Sequence, residues 1–247
     1  GNRSDCIIIA TINNNTKEVK LTSVYRDTYV QIEGYGLDKI THAYSYGEAP
    51  LAIKTLNANL DLNIKEFVTV NFDAVKEIID YIGGIQMQIT SEEVSHIPGI
   101  SKAGIYNLTG EQALAYARIR YASGGDYKRT ERMRDVLTAV ANKVKTMNVS
   151  QLNGLVDEVL PKVYTNITAS DIFSLFPSVA SFNITESIGW PYETRGITLD
   201  RWYGVPVTLE SNVKQLHQEL FGETDYEPSE NVKNVSNSII QKTGYTN

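Results

Sequence analysis

Arginine is the residue type in this chain whose number and spacing could do chemistry. Seven of its nine arginines fall in three short segments, and five of the seven lie within the seventeen residues from Arg118 to Arg134. A guanidinium group stays protonated and presents a planar fork of donors that matches two phosphate oxygens at a time. In a chain with a formal net charge of −6, such a cluster is either a solvated basic helix face, which is the common case, or a site for an anion with several phosphate oxygens.

The other two arginine segments favour the anion site, because they flank a predicted β-hairpin. One contains Arg3 and Asp5 and precedes the apolar run 6–10, whereas the other contains Arg26 and Asp27 and follows the next β-prone run. An Asn-rich, turn-forming cluster lies between the two runs. If the runs pair antiparallel, both arginine segments come to the same edge of the sheet.

Five motifs follow one another along the chain. They are Arg3-Ser4-Asp5, Arg26-Asp27-Thr28, Lys39-Ile40-Thr41-His42-Ala43-Tyr44, the run from Leu108 to Arg120, and Gly125-Asp126-Tyr127-x-Arg129-Thr130-x-Arg132. Five ordered motifs are a more specific signal than one short pattern. The same motifs recur in this order in the LytR-CpsA-Psr family, and the chain resembles the extracellular domain of that family from residue 1 to at least residue 147.

This resemblance implies an activity and a location. Family members are phosphotransferases of the bacterial cell envelope. The chain is therefore expected to move an anionic glycan, such as wall teichoic acid or capsule, from an undecaprenyl-pyrophosphate carrier to peptidoglycan, with Mg²⁺ or Mn²⁺. It is expected at the extracellular face of the cytoplasmic membrane, held by a single N-terminal membrane helix. Because the first motif starts at Arg3, that helix and a first strand with a Gly-x-Asp element are expected to precede residue 1.

The resemblance also implies the site residues. The expected catalytic residues are Arg26, Asp27, Arg118 and Arg120. The expected pyrophosphate ligands are Arg3, Arg26, Arg118, Arg120, Arg129 and Arg132. Asp5 is the expected metal ligand. Phosphoryl transfer depends mostly on positioning and charge stabilisation, which arginine forks and a divalent cation supply. Asp27 can either hold Arg26 in place or act as general base, and both roles stay open.

The remaining arginines of the cluster are separated by helical geometry. On a helix that starts near Lys128, Arg132 shares a face with Arg129. Arg134 is turned away from Arg129 by about 140° at 3.6 residues per turn, so we expect it in solvent.

Four other residues near or outside the motifs carry weaker signals. His42 is interpreted as a structural hydrogen-bonding residue, with general base as the alternative. Met133 stands where the family usually has glutamine, which removes one polar contact near the phosphates. His96 and His217 are isolated in the sequence and are expected to be exposed.

Strands alternate with helices along the chain, which predicts an α/β sandwich with a mixed sheet. By the resemblance, this is a three-layer sandwich with helices on both faces of a central mixed β-sheet. One domain is expected over residues 1–222, followed by a polar tail over 223–247 that is rich in Asn and Ser and expected to be frayed. Strands are predicted over 66–72, 85–89 and 184–190, and helices over 43–60, 74–82, 110–121, 128–147, 150–163, 169–182 and 209–221, with Asp73 and Thr109 as N-caps.

An undecaprenyl tail would require an apolar site. Val75, Ile78, Ile79 and Ile82 are the candidates for lining a lipid groove, because ligand sites are mostly apolar with a few placed polar groups. For any one of these residues, the alternative is ordinary core packing.

Composition argues against disulfide or Cys-based zinc sites and against a DNA-binding function. Cys6 is the single cysteine, so disulfides and Cys-based zinc sites are excluded, and it is interpreted as a small core residue. A DNA-binding regulator would need a broad basic face, whereas the pI is about 5.2, so nucleic acid is not an expected partner. A polyprenyl-pyrophosphate-binding protein or pyrophosphatase without glycan transfer remains the open alternative.

Overall fold

The structure, a computed structural model, describes residues 4–120 and 125–246. The chain divides into two compact units. Unit 1 comprises Gly1–Thr11, Lys20–Lys65 and Ser187–Asn247, and unit 2 comprises Ile12–Val19 and Glu66–Glu186.

Strands and helices alternate through both units, and the predicted α/β class is confirmed. The strands of the described residues are β1 (Ile7–Asn13), β2 (Glu18–Val24), β3 (Tyr29–Ile32), β4 (Gly36–Lys39), β5 (Val68–Thr69), β6 (Ile85–Ile89), β7 (Gly104–Leu108), β8 (Tyr164–Thr165), β9 (Asn183–Trp190), β10 (Thr194–Thr198) and β11 (Trp202–Pro206). One sheet has the order β1-β2-β9. The other strands form antiparallel pairs: β3 with β4, β5 with β8, β6 with β7, and β10 with β11.

Except for α8, which lies in the predicted tail, the helices are close to those predicted, with shifted ends. They are α1 (Ile40–Leu60), α2 (Phe72–Tyr81), α3 (Gly110–Ala117), α4 (Gly125–Val144), α5 (Val149–Val159), α6 (Ala169–Leu175), α7 (Leu209–Phe221) and α8 (Glu230–Thr243). None of those lying in the described part of the chain is both long and apolar enough to cross a bilayer.

The predicted hairpin is confirmed. A four-residue turn joins β1 to β2, which are neighbours in one sheet. The Asn13 side chain closes this turn, because its Oδ1 accepts from the amides of Asn15 and Thr16 at 2.9 and 3.1 Å. An Asx turn of this kind replaces backbone hydrogen bonds where the chain reverses.

A second hairpin and the start of α1 support the segment that follows β2. In the β3–β4 register Tyr29 lies opposite Lys39, so the last residue of β4 returns beside the beginning of β3. Helix α1 starts at the next residue, and Ile40 to Ala43 are all buried. Their burial anchors the N-terminal turn of α1 in the core of unit 1.

The core of unit 1 contains part of the predicted tail. Val232, Val235 and Ile239 of α8 are buried together with Trp190 and Leu216. The expectation of a frayed tail was therefore wrong. The overall composition of this segment is polar, but its apolar residues recur at helical spacing and form one buried face. Ser229 caps the helix, accepting from the Val232 amide at 3.3 Å.

His217 of α7 was also predicted wrongly, because it is buried and not exposed. Its ring stacks on Tyr226 with centroids 3.7 Å apart. Nε2 lies 3.0 Å from the Leu60 carbonyl oxygen, and Nδ1 lies 2.9 Å from a Glu223 oxygen. Leu60 lies in α1, 157 residues away, and a local pattern does not reveal that contact.

The core of unit 2 lies around α2, α3, α4, β6 and β7. Gly110 opens α3 against α2, since a Cβ there would stand 2.1 Å from the Lys76 carbonyl oxygen. The Gly110 amide donates to Asp80 at 2.7 Å. Only glycine allows so close a backbone approach.

Three local predictions in unit 2 need adjustment. The N-cap of α2 is Asn71, whose Oδ1 accepts from the Ala74 amide at 2.8 Å, and not Asp73. The predicted strand over 66–72 is reduced to β5 because that cap starts the helix early. Thr109 does cap α3 in a capping box with Gln112, as predicted, but the helix ends at Ala117.

Candidate active site

Arg26 and Asp27 lie in the tight turn between β2 and β3, and its backbone is held on several sides. The amide of Thr28 and its hydroxyl both donate to the Tyr25 carbonyl, at 3.0 and 2.6 Å. The Asp27 carbonyl accepts from the Gly204 amide at 2.9 Å, and the Arg26 carbonyl accepts from Thr41 at 3.1 Å. The turn therefore presents both side chains from a fixed backbone.

The side chains of this turn form a chain of ion pairs. Arg26 Nη1 lies 2.9 Å from Asp5 Oδ1, and Asp27 Oδ1 lies 2.7 Å from Lys39 Nζ. Arg26 Nε is 4.0 Å from Asp27 Oδ2. The predicted meeting of the two arginine segments is thus confirmed for Asp5 and Arg26. Arg3 lies outside the described residues.

Arg26 presents one donor to the interior of this site. Its Nε is buried and has no hydrogen-bond partner among the residues that the structure describes. A buried donor without a partner costs about 1–3 kcal/mol, so a position of this kind suits a ligand that accepts hydrogen bonds.

The third motif holds the first two together, which sequence reasoning did not foresee. Lys39 pairs with Asp27, as described above. The Thr41 hydroxyl donates to the Ser4 carbonyl at 2.6 Å while the Thr41 amide binds Arg26. The motif containing Lys39 and Thr41 follows the other two in the sequence, which marks it as part of the same group. The contacts of Lys39 and Thr41, however, depend on the β3–β4 register, which the order of the motifs does not give.

His42 follows directly in α1 and is buried. Its Nδ1 lies 2.8 Å from Asp38, which also accepts from the Tyr46 hydroxyl at 2.7 Å. Burial raises the pKa of Asp38, but the hydrogen bonds from Tyr46, His42 and the Lys39 amide outweigh it and lower the pKa overall. These contacts support the structural role for His42.

Arg118 and Arg120 belong to unit 2, where both are exposed just after α3. Arg118 is the C-cap residue of α3, and its amide donates to Leu114 and Ala115. The centre of its guanidinium lies 4.1 Å from the centroid of the Phe72 ring. This cation–π contact orients the guanidinium while leaving its edge available for an anion.

Arg132 is buried in unit 2 and not presented to solvent. Its Nε donates to Glu93 Oε1 at 3.0 Å, and Nη1 donates to the Ile119 carbonyl at 3.4 Å. Burial raises the pKa of Glu93, but hydrogen bonds from Thr90 and Arg132 outweigh it and lower the pKa overall. Arg132 therefore holds the backbone between Arg118 and Arg120, and its predicted contact with pyrophosphate stays a prediction.

The prediction that Arg134 lies in solvent was wrong, because it is buried. Arg129 is buried as well. Helix α4 packs against both α3 and β6, so two of its faces are covered. Helical geometry separated Arg134 from Arg129 as predicted, but it does not say which faces of a helix meet solvent.

Asp135 of α4 sits beside Tyr116 in this interior. Burial raises the pKa of Asp135, more than the hydrogen bond from the Tyr116 hydroxyl at 3.0 Å lowers it.

Met133 stands where the family usually has glutamine. It packs against the apolar cluster of unit 2, so its side chain contributes to the hydrophobic core.

The four candidates for a lipid groove divide into two pairs. Ile79 and Ile82 are buried in the core of unit 2, whereas Val75 and Ile78 are half-buried on α2. The groove prediction therefore depends on Val75 and Ile78.

Carboxylates that could bind a metal ion are sparse. Across residues 4–120 and 125–246, the structure brings together no group of three or more His, Cys, Asp or Glu side chains suited to a metal. Asp5 is 48% exposed and provides one carboxylate beside Arg26.

Comparison with known proteins identifies the family to which the chain belongs. The LytR-CpsA-Psr family model matches residues 1–219. The chain belongs to this family. Among curated relatives it is similar to the polyisoprenyl-teichoic acid–peptidoglycan teichoic acid transferase TagT of Bacillus subtilis (strain 168), with 34% identity over 208 residues. The match covers 79% of this chain and 64% of that relative, so the chain spans less than two thirds of its length.

Solved structures show the same fold. A structure of TagT bound to LIIa-WTA has a TM-score of 0.78 and 28% identity, covering 91% of this chain and 86% of that chain. A structure of TagT with bound octaprenyl pyrophosphate lipid has a TM-score of 0.72 and 27% identity, covering 91% and 86% respectively. The fold is therefore that of the LytR-CpsA-Psr domain.

Proposed function

We propose that this chain transfers an anionic glycan from a polyprenyl-pyrophosphate carrier, undecaprenyl pyrophosphate, to peptidoglycan. The observation that carries the proposal is Arg26. It sits on a backbone clamped by Thr41, and its buried Nε has no hydrogen-bond partner among the described residues. The relative TagT supports the substrate class, since it is named a teichoic acid transferase and one of its structures holds octaprenyl pyrophosphate lipid.

The reaction joins a sugar hydroxyl to phosphorus. A hydroxyl oxygen of peptidoglycan attacks the phosphorus that carries the glycan, and the bond from that phosphorus to the bridging oxygen breaks. The products are a glycan–peptidoglycan phosphodiester and polyprenyl phosphate, and the hydroxyl proton is released. Because negative charge on the bridging oxygen and the phosphoryl oxygens grows during transfer, guanidinium donors at these oxygens lower the barrier. Arg26, Arg118, Arg120 and Arg129 are the described residues that we assign to this role, together with Arg3.

Asp27 is assigned here to positioning. Lys39 Nζ occupies one of its oxygens at 2.7 Å, and the other faces Arg26 Nε at 4.0 Å. A carboxylate engaged by two cations holds them in place and is poorly suited to accept a substrate proton.

Asp5 is the residue that would hold a divalent metal ion. Mg²⁺ in phosphate sites takes one or two carboxylates and fills its other positions with phosphate oxygens and water, and Mn²⁺ suits similar ligands. The exposed Asp5 carboxylate beside Arg26 fits this sparse donor set. The ion would supply charge neutralisation at the phosphates.

The proposed location follows from the two substrates and from the family. The undecaprenyl chain stays in the membrane and peptidoglycan lies outside it, so we assign the protein to the extracellular face of the bacterial cytoplasmic membrane. A single N-terminal helix as anchor is proposed from the family resemblance. Val75 and Ile78 of α2 remain the proposed contacts of the lipid chain.

Arg26→Ala tests the proposal directly. We expect it to abolish glycan transfer and to weaken binding of geranyl pyrophosphate by about thirtyfold to a hundredfold, the loss of a charge-assisted contact of about 2–3 kcal/mol. Its melting temperature should change little, because the Arg26–Asp5 pair is partly exposed. Arg195→Ala, an exposed arginine of the same unit, is the matched control. Transfer by the Arg26 variant at the normal rate would contradict the proposal, and release of free glycan phosphate without an acceptor would indicate a pyrophosphatase.

A further inference from the structure

Trp202 is a large side chain that unit 1 leaves in solvent. It opens β11 and is 47% exposed, whereas the other tryptophan, Trp190, is fully buried. An indole left in solvent costs hydrophobic free energy, so its setting calls for an explanation.

Two glycines make room for this indole. Its Nε1 and Cε2 lie 2.8 and 3.2 Å from the place where a Cβ of Gly196 would stand, and its Cη2 lies 3.6 Å from the equivalent place at Gly204. The ring therefore lies over Gly196 of β10 and Gly204 of β11. About half of the side chain stays in solvent, and we call this exposed part the platform.

The surroundings of the platform are polar and uncharged. Residues 194, 196 and 198 of β10 share its side of the hairpin, because side chains alternate along a strand and Thr198 pairs with Trp202. The Thr194 hydroxyl lies 3.4 Å from the position that a Cβ of Gly204 would occupy. Because the indole approaches the same position, this hydroxyl lies near the ring. We call the set Thr194, Gly196, Thr198, Trp202 and Gly204 the hairpin face.

The charges next to Trp202 in the sequence neutralise each other, and Arg195 of β10 lies on the opposite side of the hairpin by strand alternation. Asp200 and Arg201 form an ion pair of 2.8 Å at the tip of the hairpin. An aromatic face beside threonine hydroxyls, with no net charge, suits a ligand that combines apolar C–H surface with hydroxyl groups. An uncharged saccharide has this chemistry, whereas a polyanionic glycan would gain no charge contact here.

The hairpin face adjoins the candidate active site. The Gly204 amide donates to the Asp27 carbonyl at 2.9 Å. The same carbonyl oxygen lies 3.8 Å from the position that a Cβ of Gly204 would occupy, and the indole also approaches this position. A chain of sugars lying on the indole can therefore bring one of its hydroxyls towards the turn that carries Arg26.

We infer that the hairpin face binds the acceptor, the uncharged saccharide backbone of the peptidoglycan strand, with Trp202 stacked on a sugar ring. This inference rests on the proposed function, since it supplies the second substrate of that reaction. The donor is recognised by its pyrophosphate at the arginines, whereas the acceptor is recognised by its sugar rings.

Fluorescence tests the binding, with chitohexaose, an oligosaccharide of N-acetylglucosamine, as the probe. Because Trp190 is fully buried, acrylamide quenching reports mainly on Trp202. Chitohexaose should protect this fluorescence from acrylamide, and geranyl pyrophosphate should not. Gly196→Ala would put a Cβ 2.8 Å from the indole Nε1, so we expect it to weaken chitohexaose binding about fivefold to tenfold by displacing the ring. Gly104→Ala, whose Cβ would meet nothing closer than 3.5 Å, is the matched control.

Kinetics separate a binding role from a structural one. Trp202→Ala should raise the KM for the acceptor about tenfold and leave the KM for the lipid-linked donor unchanged. An equal loss towards both substrates, or quenching that chitohexaose leaves unchanged, would overturn the inference. If geranyl pyrophosphate still binds through Arg26 in that case, the proposed function survives. If Arg26→Ala leaves geranyl pyrophosphate binding unchanged, the proposed function fails instead.

Discussion

At the scale of single residues, the site of unit 1 depends on which charge neutralises which. Asp5 pairs with Arg26, and Asp27 pairs with Lys39. Two carboxylates and two cations thus form a row of ion pairs beside a backbone that is held by hydrogen bonds. Such ordering reduces the rearrangement needed when phosphate binds.

The role of Asp27 can be separated by Asp27→Asn. The amide cannot balance Lys39 and Arg26, so we expect both cations to shift and geranyl pyrophosphate affinity and transfer rate to fall together. Binding titration and single-turnover rates check this. A rate reduced about a hundredfold or more at unchanged affinity would show that Asp27 is instead the general base.

Arg118 and Arg132 should respond differently to the same substitution. Arg132→Ala leaves Glu93 buried without its partner, which should cost about 3–5 kcal/mol of unfolding free energy. Arg118→Ala removes an exposed group, so stability should change little while geranyl pyrophosphate affinity falls. Chemical denaturation and binding titration measure the two effects. Equal stability losses in both variants would contradict the assignment.

The Glu93 pair also predicts a pH dependence. The folded pKa of Glu93 is lowered, so the unfolded state binds more protons as the pH falls. The stabilisation is present above the ordinary glutamate pKa and is lost as the pH falls through the lowered folded pKa. Arg132→Ala should reduce this contribution to the acid limb of the stability profile measured by denaturation, while the hydrogen bond from the Thr90 amide keeps part of it.

At the scale of elements, helix α8 shows how a polar segment can belong to a core. Ile239→Ala should lower the unfolding free energy by about 2–5 kcal/mol, because Ile239 is 1% exposed. Asn237→Ala, on the exposed face of the same helix, should change it by about 0.5 kcal/mol or less. Thermal unfolding compares the two. A small effect of Ile239→Ala would mean that α8 frays in solution, as its composition had indicated.

At the scale of the whole molecule, the charge balance decides the class of partner. With a net charge of −6, the protein lacks the broad positive field that gives DNA binders their non-specific affinity. We expect no retention of duplex DNA in a gel-shift experiment at physiological salt, under conditions in which geranyl pyrophosphate binds. Salt-dependent retention of DNA at micromolar protein would contradict this expectation.

Local patterns in the sequence determined much of this protein. The Asn-rich turn predicted the first hairpin, Thr109 and Gln112 predicted the capping box of α3, and α7 begins and ends where its pattern predicted. The ordered motifs also identified Arg26, Asp27 and Asp5 as one group. These features depend on contacts between residues near in sequence, or on motifs that keep their order.

Only the tertiary structure decided which side chains are covered and what they meet. Arg134 and His217 are buried by packing of distant elements, and Lys39 reaches Asp27 through the β3–β4 register. The hairpin face likewise exists only because Gly196 and Gly204 meet across two strands under Trp202. Burial and long-range pairing depend on the free energy of the whole packed chain, which the types and spacing of neighbouring residues do not contain.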